Sequence, residues 1–533
     1  MKKRITRRSF VAATGALALG GAAAQTEEEK NAVGSTQTSS GNEAGAAKPN
    51  VLVIHTDQHR IECLGASGNT DIRTPHIDAL ANDGVRYDNS FCPFPVCTPS
   101  RYSLLSGRYV HEHRGWTNHS TLRPGTPTFP SILKDAGYKT KAVGKMHFTP
   151  TYLDLGFDEM ELSEQNGPGR WDDDYHRYLR DLGLVDYNDL EDQENPWRKS
   201  ARRIYWETFG ALASNLPDKH HSTTWTGDRA VETLEQWSPS GNLLMAGFIK
   251  PHHPFDPPPE WAERYNPDDL EILPGYTPEC FAHDLEFSRG YFPHEALHPD
   301  AVRRATAYYY AAIEHIDHQV GRMIDVLKRK GLYDNTLIIF TSDHGEYMGY
   351  HHLLLKGNYM YDPVVKVPLI IKYLRGPKAG TASQALVSNV DVAPTILDQV
   401  SCSPADGMHG RNLAQDTEGR DIVFAEAGRG GLLMARTQTR KFMFWQPKNR
   451  IFLYDLENDP FETNNVADHP DYRDETATLK KAALDWLGPQ PVPETYLDED
   501  APIIDQPNAR TWSDGHRPGM IAYYDEAMKQ TPA

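Results

Sequence analysis

The chain has 533 residues, 39% of them hydrophobic and 24% charged, with a formal net charge of −18. This describes a globular protein long enough to bury a large core, with two domains as the prior expectation. The acid excess argues against nucleic acid as a partner, since phosphate backbones are held by clustered cations.

Residues 1–24 carry Lys2, Lys3, Arg4, Arg7 and Arg8, followed by an apolar run from Phe10 to Ala24. The run is too short to cross a bilayer and ends in small residues, the pattern of an export signal. Thr6-Arg7-Arg8-Ser9-Phe10-Val11 has the twin-arginine form, which predicts export of an already folded protein to the periplasm or beyond. Without this leader 50 basic and 73 acidic residues remain, a formal charge of −23. Any site for an anion must therefore concentrate cations against the global field. No later segment reads as a membrane span. Residues 25–48, rich in Glu, Ser, Gly, Thr and Ala, predict a flexible linker.

From Pro49 short apolar runs alternate with longer mixed segments. Asn50 to Thr56, Tyr138 to Val143, Asn242 to Ile249, Asn335 to Thr341 and Val367 to Tyr373 read as buried strands. Pro75 to Gly84, Thr128 to Gly137 and Ala301 to Lys330 have helical spacing, and the first two end in glycine. The expectation is an α/β fold with helices flanking a sheet over residues 49–400. Sheets of this kind place chemistry beyond the carboxyl ends of their strands, where Asp57, Lys145, His252 and Asp343 fall. Thr151 to Ser240 reads as an insertion over that end. Residues 401–488 predict a smaller α+β subdomain, with strands at Lys441 to Trp445 and Arg450 to Asp455 and a helix to Leu487. Residues 489–533 form a tail whose Trp512, Tyr523 and Tyr524 suit packing on the body or on another subunit.

Cys97 is one of five scattered cysteines, too few for a disulfide framework and not spaced as zinc pairs. Pro93, Pro95 and Pro99 stiffen the segment against a Cys92–Cys97 bridge. In Cys97-Thr98-Pro99-Ser100-Arg101, Thr98 is placed to cap a helix running to Ser106 and Pro99 to occupy its first turn. Residue 97 would then stand at the positive helix end, which favours anions.

The Cys-x-Pro-x-Arg core, Gly144-Lys145-Met146-His147, Pro251-His252-His253-Pro254-Phe255 and the strand ends Asp57-Gln58 and Asp343-His344 occur in one order along the chain. With His351 to Gly357, Val390 to Thr395 and Asn458-Asp459-Pro460, they resemble the type I sulfatases of the alkaline-phosphatase-like superfamily. That resemblance implies that Cys97 is converted to formylglycine by a formylglycine-generating enzyme, before folded export. It implies a divalent metal, Ca2+ first and Mn2+ or Mg2+ as alternatives, held by Asp57, Gln58, residue 97, Asp343 and His344. Arg101 would hold the formylglycine, Lys145 and Lys356 the sulfate oxygens, His147 the diol proton, and His252 would protonate the leaving alcohol. His253, adjacent, competes for that last role. Gln58 stands where many relatives have aspartate, and His344 where many have asparagine.

The implied substrate is a sulfated carbohydrate or an aryl sulfate. Trp171, Trp197, Trp206 and Trp225 in the insertion suggest stacking on sugar rings. Two alternatives stand beside this: a phosphonate or phosphate ester hydrolase of the same superfamily, and a non-catalytic sugar-binding relative. Lys145 and His147 weigh against the first, and the full set of reactive positions against the second.

Overall fold

A computed structural model describes residues 48–165, 172–192, 197–287, 292–357, 359–428, 430–489 and 516–529. The proposed leader, nearly all of the linker, Trp171, the side chain of Trp197, and residues 490–515 with Trp512 lie outside them.

Eight strands form the main sheet: β1 (Asn50–Asp57), β2 (Val85–Tyr87), β3 (Lys139–Gly144), β4 (Glu159–Leu162), β5 (Asn242–Pro251), β6 (Thr336–Ser342), β7 (Leu369–Lys372) and β8 (Thr381–Ser383). Their order is β4-β3-β5-β1-β6-β7-β2-β8. The first five are parallel, β7 is antiparallel to both β6 and β2, and β8 is parallel to β2. The central strands are buried throughout, with apolar middles and polar ends, because both faces are covered. On β1, Val51 and Val53 face a core shared with Leu104, Phe129, Leu133 and Ile396, whereas Leu52 and Ile54 face one shared with Leu80, Leu234 and Val320. The period of two thus sends alternate residues into two helical layers. The second layer holds helices Pro75–Asp83 and Pro299–Arg329, close to the predicted spans, and Ser222–Gln236, which was not predicted as a helix.

Four further strands, β9 (Val423–Ala427), β10 (Leu432–Arg436), β11 (Arg440–Trp445) and β12 (Arg450–Asp455), form an antiparallel meander. One face packs under helix Arg473–Leu487 through Leu433, Phe444 and Leu479. The other face, with Met434, Met443 and Phe452, packs on Tyr347, Tyr359 and Tyr361 of the segment that follows β6. The fully buried Lys441 of β11 reaches across, with Nζ 2.7 Å from Asp362 Oδ1 and 3.0 Å from Glu462 Oε1. A buried cation left without these carboxylates would be costly, so the pairing fixes how the meander sits.

Within residues 151–240, β4 and helix Ser222–Gln236 belong to the main sheet and its cover rather than to an insertion. On that helix Trp225 is buried and tilted 5.6 Å from the Tyr175 ring, while Trp206 in the intervening stretch packs edge-on to Tyr205 and Phe292. Trp225 is thus a packing residue rather than a sugar platform, which corrects the expectation for it, whereas Trp206 is half-buried. Helix His516–Lys529 of the tail lies on the insertion through Met520 and Tyr524, with Tyr523 donating a hydrogen bond to the Leu184 carbonyl. Among the described residues no helix is long and apolar enough to cross a membrane.

Candidate active site

The parallel strands deliver their carboxyl ends to one place. β1 ends at Asp57, and Gln58 turns the chain away with φ of 64°. Its N–H donates to Asp343 Oδ1 at 3.0 Å and its carbonyl accepts from Tyr309 of the long helix at 2.6 Å, so the ends of β1 and β6 are tied together. β3 ends at Gly144, whose φ is 81° and where a Cβ would stand 2.0 Å from the Gly247 carbonyl oxygen. Only glycine fits there, and Lys145 N–H then bonds that same carbonyl at 2.7 Å. The next turn is held by buried Glu164, which accepts from Met146 and His147 N–H, each at 2.9 Å.

Helix Cys97–Ser106 brings Cys97 in from the side. Val96, not Thr98, is its N-cap, and no side chain caps it. Thr98 Oγ1 instead donates to the His147 carbonyl at 2.7 Å, because the turn after β3 presses directly on the helix start. Residue 97 still lies in the first turn, as the anion argument requires. Cys92 does not pair with it: both thiols are free and buried.

Arg101 organises the acids. Its Nη2 meets Asp57 Oδ2 and its Nε meets Asp343 Oδ2, each at 2.9 Å, while Nη1 donates to the Lys145 carbonyl at 2.8 Å. Lys145 Nζ is 2.9 Å from Asp57 Oδ2, and Lys356 Nζ is 3.1 Å from Cys97 Sγ and 2.9 Å from His344 Nε2. All of these side chains are buried except that of Lys356, which is partly so. Burial alone would raise Asp57, yet Lys145, His252, Arg101 and Lys356 hold it well below the usual carboxylate range. Burial also opposes charge on Lys356, but Cys97, Asp57 and Asp343 lift it above its ordinary value. Two acids and three cations make a pocket that favours an anion within an acidic protein.

The sequence-predicted metal ligands converge. One ligand atom each from Asp57, Cys97, Asp343 and His344 lies within 4.8 Å of the others. His344 Nδ1 donates to the Gly345 carbonyl at 2.9 Å, which leaves the Nε2 lone pair directed at the cluster, as a metal ligand needs. Burial and Lys356 both lower the pKa of His344, keeping it neutral. The set fits a divalent cation, with carboxylates for a hard ion and one imidazole. Gln58 turns its amide nitrogen to Glu346 Oε2 at 2.5 Å.

The two adjacent histidines differ. His253 Nδ1 is 2.6 Å from Asp192 Oδ1 and Nε2 is 3.0 Å from the Phe209 carbonyl, so both nitrogens face acceptors outside the site. His252 Nδ1 donates to the His253 carbonyl at 2.5 Å, which makes Nε2 the atom able to take up and give a proton. Burial, Lys356 and Lys145 hold His252 well below its ordinary pKa, which also places it within reach of both lysines' charge.

Sequence reading missed the supporting acids and amide. Gln165 accepts from Lys145 Nζ at 3.4 Å and its nitrogen holds Asp189 at 2.5 Å; Glu164 and Glu346 have been described. Glu346 follows the Asp-His-Gly strand end among apolar neighbours, a buried acid that could have been flagged. Glu164 and Gln165 lie in a segment with no such signal.

A buried mixed sheet with an acid-lined cluster able to hold a cation and a helix N-terminus at its carboxyl edge defines a hydrolase of the alkaline-phosphatase-like superfamily. Residues 49–401 match the Sulfatase family model, so the chain belongs to the sulfatase family and is a sulfuric ester hydrolase. It is 30% identical to the arylsulfatase of Clostridium perfringens over 480 residues, covering 83% of this chain and 94% of that one. It is 26% identical to the N-acetylglucosamine-6-O-sulfatase of Bacteroides thetaiotaomicron, over 85% of this chain and 88% of that one. The solved phosphonate monoester hydrolase of Agrobacterium radiobacter superposes with a TM-score of 0.70 at 25% identity, covering 82% and 95% of the two chains.

Proposed function

We propose that the protein is an exported, formylglycine-dependent sulfatase that hydrolyses a carbohydrate sulfate monoester. The observation that carries this is the convergence of Cys97, at a helix start, with Asp57, Asp343, His344, Arg101, Lys145 and Lys356. The sugar is suggested by the relative active on N-acetylglucosamine 6-sulfate.

A divalent cation, calcium first and manganese its competitor, would supply positive charge to the sulfate and to the oxygen of residue 97. After conversion, residue 97 would present a hydrated aldehyde where Sγ now stands, one hydroxyl attacking sulfur and the other later expelling sulfate. Lys356, 3.1 Å from that position, would bind a sulfate oxygen. Lys145 would release part of its hold on Asp57 to bind another. Arg101 keeps both acids oriented, His147 receives the diol proton, and His252 Nε2 gives a proton to the leaving alcohol.

Full-length protein made with a formylglycine-generating enzyme should release sulfate from 4-nitrophenyl sulfate and N-acetylglucosamine 6-sulfate, and chelation should abolish it. Phosphonate monoester turnover exceeding sulfate release would favour the phosphonate reading, for which the likeness to the Agrobacterium hydrolase speaks.

Export rests on the leader. Replacing Arg7 and Arg8 together by lysine is expected to hold the full-length precursor in the cytosol; periplasmic delivery of that variant would rule out twin-arginine export.

A further inference from the structure

Glu346 is fully buried and takes no part in the chemistry proposed above, yet it touches two sides of the site. Its Oε1 accepts from the N–H of Met348 at 3.0 Å and of Leu355 at 2.5 Å. Its Oε2 accepts from Gln58 Nε2 at 2.5 Å. Met348 and Leu355 have φ of 44° and 68°, a region that non-glycine residues occupy only where their surroundings enforce it. One carboxylate therefore closes the loop between residues 346 and 355, and Lys356, which meets Cys97 and His344, is the next residue.

The bond to Gln58 has a directional consequence. Both carboxylate oxygens of Glu346 act as acceptors, Oε2 from the Gln58 amide nitrogen, so the amide oxygen is left as the head offered to a ligand. Were the amide reversed, its NH2 group would face a cation and repel it. Backbone tethers already fix the position of Gln58: its N–H on Asp343 and its carbonyl on Tyr309. The side chain remains to be placed, and its bond to Glu346 sets which way the amide faces.

We propose that Glu346 is a positioning residue that orients the Gln58 amide with its oxygen toward the bound cation while closing the loop that presents Lys356. This rests on the reading of Asp57, Gln58, Asp343 and His344 as the cation's ligands.

Glu346→Gln separates the two duties. The new side-chain oxygen can still accept from Met348 and Leu355, so the loop stays closed. The new side-chain nitrogen then faces Gln58, whose amide must reverse to accept from it. Ca2+ and, separately, Mn2+ are titrated calorimetrically into chelator-treated full-length protein. Glu346→Gln should bind each roughly 10- to 100-fold more weakly than the parent, the range typical for partners of metal ligands. The exchanged pair Gln58→Glu with Glu346→Gln restores an acceptor facing the introduced amide and an oxygen facing the cation. It should recover most of the lost affinity.

Unchanged affinity in Glu346→Gln, or no recovery in the exchanged pair, would overturn the proposal. If Glu346→Gln does not fold, Gln58→Leu, which leaves the loop bonds intact, must show the same loss; parental affinity there overturns it equally. A parent that binds neither ion, or an Asp343→Ala variant that binds as the parent does, would instead remove the ligand-set reading and the proposal with it.

Discussion

Replacing Cys97 by alanine is expected to reduce sulfate-ester turnover by at least about 10^4-fold, the scale of removing the attacking group from a preorganised site. Protein left unconverted should be equally inactive. Burial and Asp57 push the Cys97 thiol up to about 11, against the opposing pull of Lys356. At neutral pH the thiol would then stay protonated, and a cation that ionised it would hold the sulfur as a ligand. Neither state supplies a nucleophile able to expel sulfate afterwards, whereas a hydrated aldehyde carries a second hydroxyl for that step. Stability should change little, by about 1–2 kcal/mol for so small a buried deletion. The checks are the mass of the peptide holding residue 97, the melting temperature and the rate on 4-nitrophenyl sulfate. Turnover by a homogeneous Cys97 thiol form, or by Cys97→Ala, would overturn the assignment.

The central strands were legible because each is a continuous apolar run ending in a polar or glycine residue, as in Val51 to Asp57 and Leu337 to Asp343. The edge strands were not. Glu159–Leu162 is too short to establish a period, and Thr381–Ser383 is mostly exposed and lacks large side chains. The helix at Cys97 was legible in place but not in detail, since its cap depends on the turn after β3 pressing Thr98 onto the His147 carbonyl, a contact across 49 positions. The proposed reactive residues could be named because their motifs resemble those of the sulfatases, and several stand beside strand ends. Glu164, Gln165 and Glu346 could not, because their service is to backbone amides and an amide head brought near only by folding. The proposed preference for His252 over His253 likewise rests on geometry: the ring nitrogens of His253 are spent on Asp192 and the Phe209 carbonyl, whereas His252 uses Nδ1 on the His253 carbonyl.

That geometry leads to a test read by leaving group. A sugar alkoxide leaves only with a proton, whereas 4-nitrophenoxide leaves unaided. His252→Ala is therefore expected to lower kcat/KM for a sugar sulfate by about 10^2- to 10^4-fold, the usual worth of a positioned acid, with a much smaller loss on 4-nitrophenyl sulfate. His253→Ala should instead act on both substrates alike and lower the melting temperature, because its ring bridges Asp192 and the Phe209 carbonyl. The pH dependence follows from the same charges. Burial, Lys356 and Lys145 lower the pKa of His252, so free enzyme is mostly neutral there at pH 7. An acid must begin protonated, so kcat/KM for the sugar sulfate should fall as pH rises through and above that lowered pKa. The nitrophenyl ester, needing no proton, should lack this limb. Once the substrate's sulfate neutralises the two lysines their depressing effect is relieved, so the same limb in kcat should lie at higher pH than in kcat/KM. Equal losses on both esters in His252→Ala, or a leaving-group-dependent loss in His253→Ala, would take the acid role away from His252.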